Sequence, residues 1–471
     1  MAPESPQEGF TRRRLLGSGV AAGAGLGLVG LAGQPAAADD DPIGQAPPRR
    51  KGETFMGGVP FEPHDVVRVG IVGLGMRGGG MLGRFLNTAG VRVTALSDIN
   101  ATKVAEGAAE VRAAGQPDPA QYVGEKSFER LAARDDVDFI YTATPWEYHH
   151  LICITGMENG KHVGTELPLA MSLDDLWDVV RTSERTRRHA FIFHNRSYGL
   201  DQMRMLRFVE AGRLGKLLYG SGGYMHDLRE LNFSDDHEPA GWRRRWHTRM
   251  NTNLYPVHGL APISNAMKIN RGDRYDWLMA VASPEAGYSE YRAANMPPGH
   301  PSWKDKYICG DTNMCFIQTV QGRFIRSEHD VSSPHPYSRA NTLQGSKGKL
   351  TEDDRQTAFA DRWHVYVEPE DSNHRWRLFS EYGAEYDHWL WKSGVSNNAD
   401  QLVVYRTMQC LRLGLPPDID VYDSATWTSP IPLSEESVKR GSRPVKVPDF
   451  TRGHWREDRP NVNSAEPPEA G

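Results

Sequence analysis

The chain has 471 residues, 39% of them hydrophobic, enough for two domains of ordinary size with cores of their own. Its 55 Lys and Arg nearly balance 60 Asp and Glu, for a net charge of −5, so there is no electrostatic footprint for nucleic acid or a membrane surface. The four cysteines, Cys153, Cys309, Cys315 and Cys410, show neither CxxC nor metal-ligand spacing with histidine; they read as buried free thiols, and no metal is expected.

The N-terminus carries paired arginines (Arg12, Arg13), a weakly apolar stretch from Leu15 to Leu31, and small residues at Ala36, Ala37 and Ala38. That is the pattern of a twin-arginine export signal over residues 1–38. The stretch is rich in Gly and Ala and shorter than a spanning helix needs, so it is not read as a membrane anchor. The twin-arginine route carries folded proteins, which suits a chain that takes up a cofactor before leaving the cytoplasm. Residues 39–63, polar with several prolines, read as a loose leader.

From Val66 short apolar runs alternate with helical stretches. The expected strands are "VVRVGIVGLG", "VRVTALSD", "VDFIYTATP", "KHVGTE" and "HAFIFHN", with helices over 77–88, 101–114, 149–159 and 172–187. This alternation predicts an α/β Rossmann domain over 64–197, with a doubly wound parallel sheet covered on both faces. After Tyr198 comes a helix over 201–211, then strand-like runs such as "KLLYGSGGYM", "YDWLMAVAS", "TNMCFIQTV" and "RFIRSEHD". They predict an α+β domain over 198–450 with a mostly antiparallel sheet, in which "DQLVVYRTMQCLRLG" forms a late helix. The tail, 451–471, is polar and reads as loose.

Gly73-x-Gly75-x-x-Gly78 follows the first strand and opens the first helix, and the next strand ends in Asp98. In a chain with 47 glycines the spacing alone means little; the strand–turn–helix context makes it a dinucleotide fingerprint. Gly73 allows the tight turn, Gly75 lets backbone approach a pyrophosphate, and Gly78 lets helix and strand pack closely. Asp98 then either bonds the adenosine ribose hydroxyls or caps the following helix. With a carboxylate there and no arginine in "DINAT", NAD is expected rather than NADP.

The order GxGxxG, "TPWEYH" and "GKHVGTELP" resembles the glucose–fructose oxidoreductase-like superfamily of sugar dehydrogenases. Its members carry Glu-Lys-Pro at the last motif, with the lysine in proton transfer; here the residues are Glu166, Leu167 and Pro168. Within it, "GLGMRG", "TPWEYHH", "GTELP", "FHNRSYG", "GWRRRWHTRMNTNLYPVHGLAPI" and "LPPDIDVYDSATWTSPIPLSEESVKRGSRPVKVPDFTRG" are similar to glycoside hydrolase family 109, the NAD-dependent α-N-acetylgalactosaminidases. The likeness runs from about Arg68 to Trp455. It departs at Lys392 to Asp400, "KSGVSNNAD", where a "GHGGMD"-like run is expected.

The resemblance implies a tightly bound, recycled NAD that oxidises the sugar at C3, elimination of the C1 substituent after loss of the C2 proton, addition of water, and re-reduction. It implies Tyr198, His247, His258 and Glu166 as proton carriers. Tyr198 or His247 would take the C2 proton, the other would serve the C3 hydroxyl, and Glu166 would hold the nicotinamide ribose or relay a proton. It places Met76, Arg77, Trp146, Glu147, Tyr148, His149, Glu166, Leu167, Asn195 and Tyr255 against the cofactor. It places Tyr224, Arg243, Tyr255, Pro256, Val257, His258 and Tyr337 around a sugar substrate, a glycan ending in N-acetylhexosamine.

Trp242 and Trp246 read either as a sugar-stacking wall or as packing, and the run Arg243-Arg244-Arg245 as site or solvated face. Two other readings stay open: an exported sugar oxidoreductase with tightly bound nucleotide, and a non-catalytic sugar- or nucleotide-binding regulator. Antiparallel sheets of this superfamily pack into dimers, so a homodimer is the assembly considered.

Overall fold

The computed structural model describes residues 42–234, 241–353, 362–371, 373–382, 384–463 and 466–467. The twin-arginine segment 1–38 lies outside them.

The first half is a parallel sheet wrapped by helices. In chain order it runs β1 (Val67–Val72), α1 (Met76–Leu86), β2 (Val91–Asp98), α2 (Ala101–Ala113), β3 (Ala120–Val123), α3 (Ser127–Ala132), β4 (Phe139–Thr142), α4 (Trp146–Glu158), β5 (His162–Thr165), α5 (Leu173–Thr186) and β6 (Ala190–Ile192). The strand order is β3-β2-β1-β4-β5-β6 with every pair parallel. Val67, Val69, Ile71 and Val72 are all buried, the near-continuous apolar run of a strand covered on both faces. Strand order reverses between β1 and β4, which opens a crevice at their carboxyl ends, the place such sheets bind ligands. The edge strand β3 escaped the sequence pattern because its side chains are only half-buried or exposed.

The second half contains α6 (Leu200–Glu210), β7 (Leu217–Met225), α7 (Arg229–Phe233), α8 (Trp242–Trp246), α9 (Val257–Ala266), β8 (Tyr275–Ala282), α10 (Gly287–Asn295), β9 (Thr312–Thr319) and β10 (Phe324–Asp330). It continues with β11 (Thr342–Gly345), β12 (Gly348–Glu352), β13 (Trp363–Val367), β14 (Arg377–Leu378), α11 (Trp389–Lys392), α12 (Ala399–Leu413), α13 (Val421–Thr428), α14 (Pro430–Lys439) and β15 (Val445–Lys446). Among the described residues its strands order as β14-β13-β12-β11-β7-β10-β9-β8-β15, antiparallel except for the parallel pair β7 and β10. Helix α9 crosses β7 closely: a Cβ on Gly222 would lie 2.2 Å from the carbonyl oxygen of Gly259. That contact sets α9, and with it His258, against Tyr224.

Three expectations are corrected. The late helix α12 does not stay with the second sheet. Gln401 Nε2 donates to Thr88 Oγ1 (2.9 Å) at the end of α1, and Ile192 N of β6 donates to Ser424 Oγ (3.1 Å) of α13. The leader is not loose over its described part: Met56 and Phe61 are buried, and Phe55 stacks on Tyr422 (4.7 Å) and His454 (4.1 Å). Nor is the tail, where Trp455 and Val462 are buried and Arg459 Nε donates to Asp420 Oδ2 at 2.8 Å. Polar composition concealed these anchors, because the arginines pair with buried carboxylates far away in sequence. Among the described residues no helix is long and apolar enough to cross a membrane, and no group of His, Cys, Asp and Glu is placed to hold a metal.

Candidate active site

The crevice gathers the carboxyl ends of β1, β4, β5 and β6. After β1, Gly73 adopts φ +85°, and a Cβ there would lie 2.8 Å from Ala143 O. Gly78 is packed still more tightly, 1.8 Å from Gly73 O by the same measure, whereas a Cβ at Gly75 would meet nothing within 4 Å. Thus Gly73 and Gly78 answer to the fold, while the bareness of Gly75 leaves open space at the N-terminus of α1. Among the described residues no side chain caps that terminus, so its first amides are free to meet an anion. The cradle fits the pyrophosphate of a dinucleotide.

Asp98 ends β2 beside this loop: Oδ2 accepts from Leu74 N (2.6 Å) and Oδ1 from Asn100 N (2.8 Å). The cap of α2 is Asn100, whose side chain accepts from Thr102 N and Lys103 N, so Asp98 is not the cap. Met76, the first residue of α1, is exposed.

Arg77 spans the floor of the crevice. Its Nε donates to Glu166 Oε1 (2.7 Å), which also accepts from Tyr141 OH (2.8 Å), and its Nη2 donates to Asp400 Oδ1 (2.9 Å). Burial works against the Arg77 charge, but Glu166, Tyr141 and Asp400 outweigh it and raise its pKa. Burial pushes Asp400 up, yet Arg77 and Asn195 together hold its carboxyl below the usual range. Asn195 Nδ2 donates to the same Asp400 oxygen at 2.7 Å, and among the described residues its own Oδ1 is buried without a partner, as is Glu147 Oε2. Asp400 lies in the segment that departs from the family pattern; it enters the site because Asn398 caps α12 and starts the helix there.

Leu167 is buried at the end of β5 and brings no proton-carrying group. His149, in α4, is buried with Nδ1 2.6 Å from Pro168 O and Nε2 2.9 Å from Thr144 O. It ties two strand-end loops together. Burial pulls its pKa down despite both carbonyls. Tyr148 turns away, its hydroxyl donating to Glu125 Oε1 at 2.7 Å.

Next to the crevice is an aromatic cage. The Trp146 ring stacks on Tyr255 (5.7 Å, 19°) and meets Trp242 edge-on (5.4 Å, 80°). Arg243 lies over all three, 5.3, 5.6 and 5.0 Å from the centroids of Trp146, Tyr255 and Trp242. It has no hydrogen-bond partner among the described residues, which leaves its donors for a ligand. Of the basic run, Arg244 instead faces inward to Asp305 (2.8 Å), a structural pair. Tyr224 lies 4.9 Å from Tyr255, 5.4 Å from His258 and 5.9 Å from Tyr337, and its hydroxyl is 3.4 Å from His226 Nδ1. Pro256 and Val257 are buried and serve by starting α9, which presents His258. Behind His258 stands His194, with Nε2 3.2 Å from His258 Nδ1.

Two expected proton carriers are not joined to this cluster. Tyr198 is buried with its hydroxyl donating to Asp418 Oδ2 (3.1 Å), itself gripped by Arg406 at 2.9 Å. Burial and then Asp418 push the Tyr198 phenol well up, the reverse of what a base needs. His247 packs its ring on Tyr288 (4.7 Å) and His329 (6.2 Å), one layer behind Arg243, with burial forcing its pKa down. Sequence reasoning passed over Tyr141, His194, His226 and Asp400. His194 had a usable signal, since it follows a parallel strand at the edge where these sheets place ligands.

The Glycosyl hydrolase 109, C-terminal domain, matches residues 198–457, and the oxidoreductase family NAD-binding Rossmann fold matches residues 67–194. A glycosyl hydrolase family 109 protein of Saccharopolyspora erythraea is 48% identical over 470 residues, 98% of this chain and 99% of its own. Another, from Streptomyces coelicolor, is 49% identical over 464 residues, 97% of each chain. Among solved structures, an aldose-aldose oxidoreductase from Caulobacter crescentus superposes with a TM-score of 0.59 at 16% identity, covering 81% of this chain and 100% of that one. An inositol dehydrogenase homolog from Azotobacter vinelandii, complexed with NADH and myo-inositol, gives 0.60 at 15%, covering 82% and 99%. At these identities the solved structures establish the fold.

Proposed function

The chain belongs to glycosyl hydrolase family 109, an NAD-dependent, sugar-acting family, and on that premise we propose that it hydrolyses terminal α-N-acetylgalactosaminides with no net redox change. The observation that carries the reading is the pairing of two features. Leu167 stands where the sugar-dehydrogenase pattern has its lysine, and a cluster of Tyr224, Tyr255, His226 and His258 packs onto Trp146 of the nucleotide-binding half.

When bound, NAD would supply a hydride acceptor for the sugar C3–H and a hydride donor for re-reduction, so that it need not leave. Gly73, Gly75 and the N-terminus of α1 would hold its pyrophosphate, and Asp98 would take the adenosine ribose hydroxyls. Asn195 Oδ1 and Glu147 Oε2 offer acceptors to the nicotinamide half. Arg77, fixed by Glu166 and Asp400, keeps the crevice floor rigid.

On the sugar, a C3 ketone acidifies the C2 hydrogen. The C3 hydroxyl proton passes through half-buried His226 to solvent; a base then takes the C2 proton, the C1–O bond breaks with a proton passing to the departing oxygen, water adds at C1, and the protons return in reverse on re-reduction. Two pairs stand beside the aromatic cage: Tyr224 with His226, the proton-carrying pair, and His258 with His194, a hydrogen-bonding pair. Tyr198 and His247, expected as proton carriers, stand apart from both pairs. Arg243 and the aromatic cage grip the N-acetyl and hydroxyl groups. The twin-arginine pattern of residues 1–38 supports export of the folded enzyme with its nucleotide aboard.

The test uses mature protein purified without added nucleotide and an aryl α-N-acetylgalactosaminide in D₂O. Aglycone release with deuterium at C2 of the sugar and no net NADH supports the cycle. Release without C2 exchange points to conventional hydrolysis with two carboxylates and sinks it. A product of changed oxidation level would establish a sugar oxidoreductase instead.

A further inference from the structure

We infer that His194 is a positioning residue: the hydrogen-bond chain it completes fixes His258 as the neutral Nε2–H tautomer, so that His258 meets the sugar as a hydrogen-bond donor and not as a base. The identity of the sugar oxygen rests on the glycosidase reading above; the tautomer does not.

The chain has a direction because one of its members can only donate. The main-chain N–H of Ser197 donates to His194 Nδ1 at 3.2 Å, capping the short 3₁₀ turn Asn195–Tyr198. Ser197 Oγ lies 2.8 Å from the same nitrogen, and Asn265 Nδ2 in turn donates to that oxygen at 3.4 Å. His194 Nδ1 is therefore an acceptor, and the single proton of the neutral ring sits on Nε2. Nε2 is 3.2 Å from His258 Nδ1, which must accept. That leaves the proton of His258 on its own Nε2, at the far edge of the ring, where it has no partner among the described residues. The ring there faces Tyr255 (5.1 Å) and Tyr224 (5.4 Å).

A charged His258 is opposed from every side. Burial, then His194, Arg196, Arg339 and Arg77, hold its pKa well below the usual histidine range. Burial, with Arg196 and Arg339, pushes His194 down to about 3. Protonating Nδ1 of His258 would also set two N–H groups against each other at 3.2 Å. A neutral imidazole N–H set among the rings of Tyr224 and Tyr255 suits polarising a carbonyl oxygen, here the C3 ketone, and strengthens as charge develops on that oxygen. Removal of the C2 proton then falls to the other pair, with the His226 imidazole as the acceptor, since burial raises the pKa of the Tyr224 phenol as it does that of Tyr198.

The experiment is ring-nitrogen NMR of histidine-labelled mature protein with bound NAD, between pH about 6 and 8, with His258 signals assigned by their loss in His258→Gln. The expected result is the Nε2–H pattern in the wild type, its loss in His194→Phe, and its return in His194→Gln, whose amide keeps a donor where Nε2 stood. In turnover, His194→Phe should lower kcat by about 10²-fold, the usual loss of one donor to a developing oxyanion, with KM little changed. A wild-type His258 that is cationic or protonated at Nδ1 overturns the inference, whether or not His194→Phe folds. So does an unchanged tautomer in a folded His194→Phe. Failure of the wild type to cleave any glycoside would count against the proposed function alone, since the tautomer is read without turnover.

Discussion

A methyl group added at Gly75 meets nothing within 4 Å, whereas one at Gly78 lies 1.8 Å from the carbonyl oxygen of Gly73. The two glycines look equivalent in the fingerprint but answer to different partners. Gly75→Ala should cost stability less than about 1 kcal/mol and weaken NAD binding on the order of ten-fold. Gly78→Ala should cost about 3 kcal/mol or more because backbone must move. Urea denaturation and nucleotide titration separate them; equal destabilisation by both would refute the distinction. At this scale the glycines were legible because they sit in a local motif, while Trp146, Arg243 and Tyr255 were implied by the resemblance. His194 and Asp400 were not. Asp400 meets Arg77 across 323 positions, and no local pattern encodes that pairing.

At the scale of elements, α12 was readable as a helix but not as a part of the nucleotide site. Its N-cap Asn398 accepts from Asp400 N (2.8 Å) and Gln401 N (3.4 Å), and so sets where Asp400 emerges. Asn398→Ala should lower stability by about 1 kcal/mol, with Asn398→Asp or Ser restoring it. Because Asp400 anchors Arg77, the same variant should also raise the NAD dissociation constant. A drop in Tm with unchanged NAD affinity would show that the cap does not govern the site. The parallel sheet was largely visible because buried strands are nearly all apolar. The edge strand β3 and the short strands β11 to β13 carry mixed surfaces and gave weaker signals.

Over the whole molecule, the leader and tail are fastened by arginines on buried carboxylates. Glu184 accepts from Arg49 (3.0 Å) and from Arg452, and Asp420 from Arg459 (2.8 Å). Arg459→Met should leave buried Asp420 without its ion-pair partner, its capping bonds to Tyr422 N and Asp423 N remaining, and cost up to about 3 kcal/mol, much of which Asp420→Asn should restore in the double variant. Stability should also fall in acid. Burial holds His189 down to about 3, His194 to about 3 and His329 to about 4. In the unfolded chain each titrates near 6.5 or so. Between those values the unfolded state binds more protons, so stability is full above about pH 6.5 and is lost as pH falls. The loss is about 1.4 kcal/mol per pH unit for each histidine. Melts from about pH 7 to 4 should show Tm falling steeply, and His189→Leu should reduce the slope by one proton. A flat Tm through this range would contradict the burial of these rings.

By itself the sequence determined the alternation of strands and helices, the glycine loop, the acid after β2 and the family, since each is written in neighbouring residues or in long matched motifs. The tertiary structure alone decided which polar groups meet: Arg77 with Asp400, His194 with His258, Tyr198 with Asp418. Local patterns record what one residue asks of its neighbours along the chain. The chemistry of a site depends on the donor or acceptor that folding brings from elsewhere, and on the water that burial excludes.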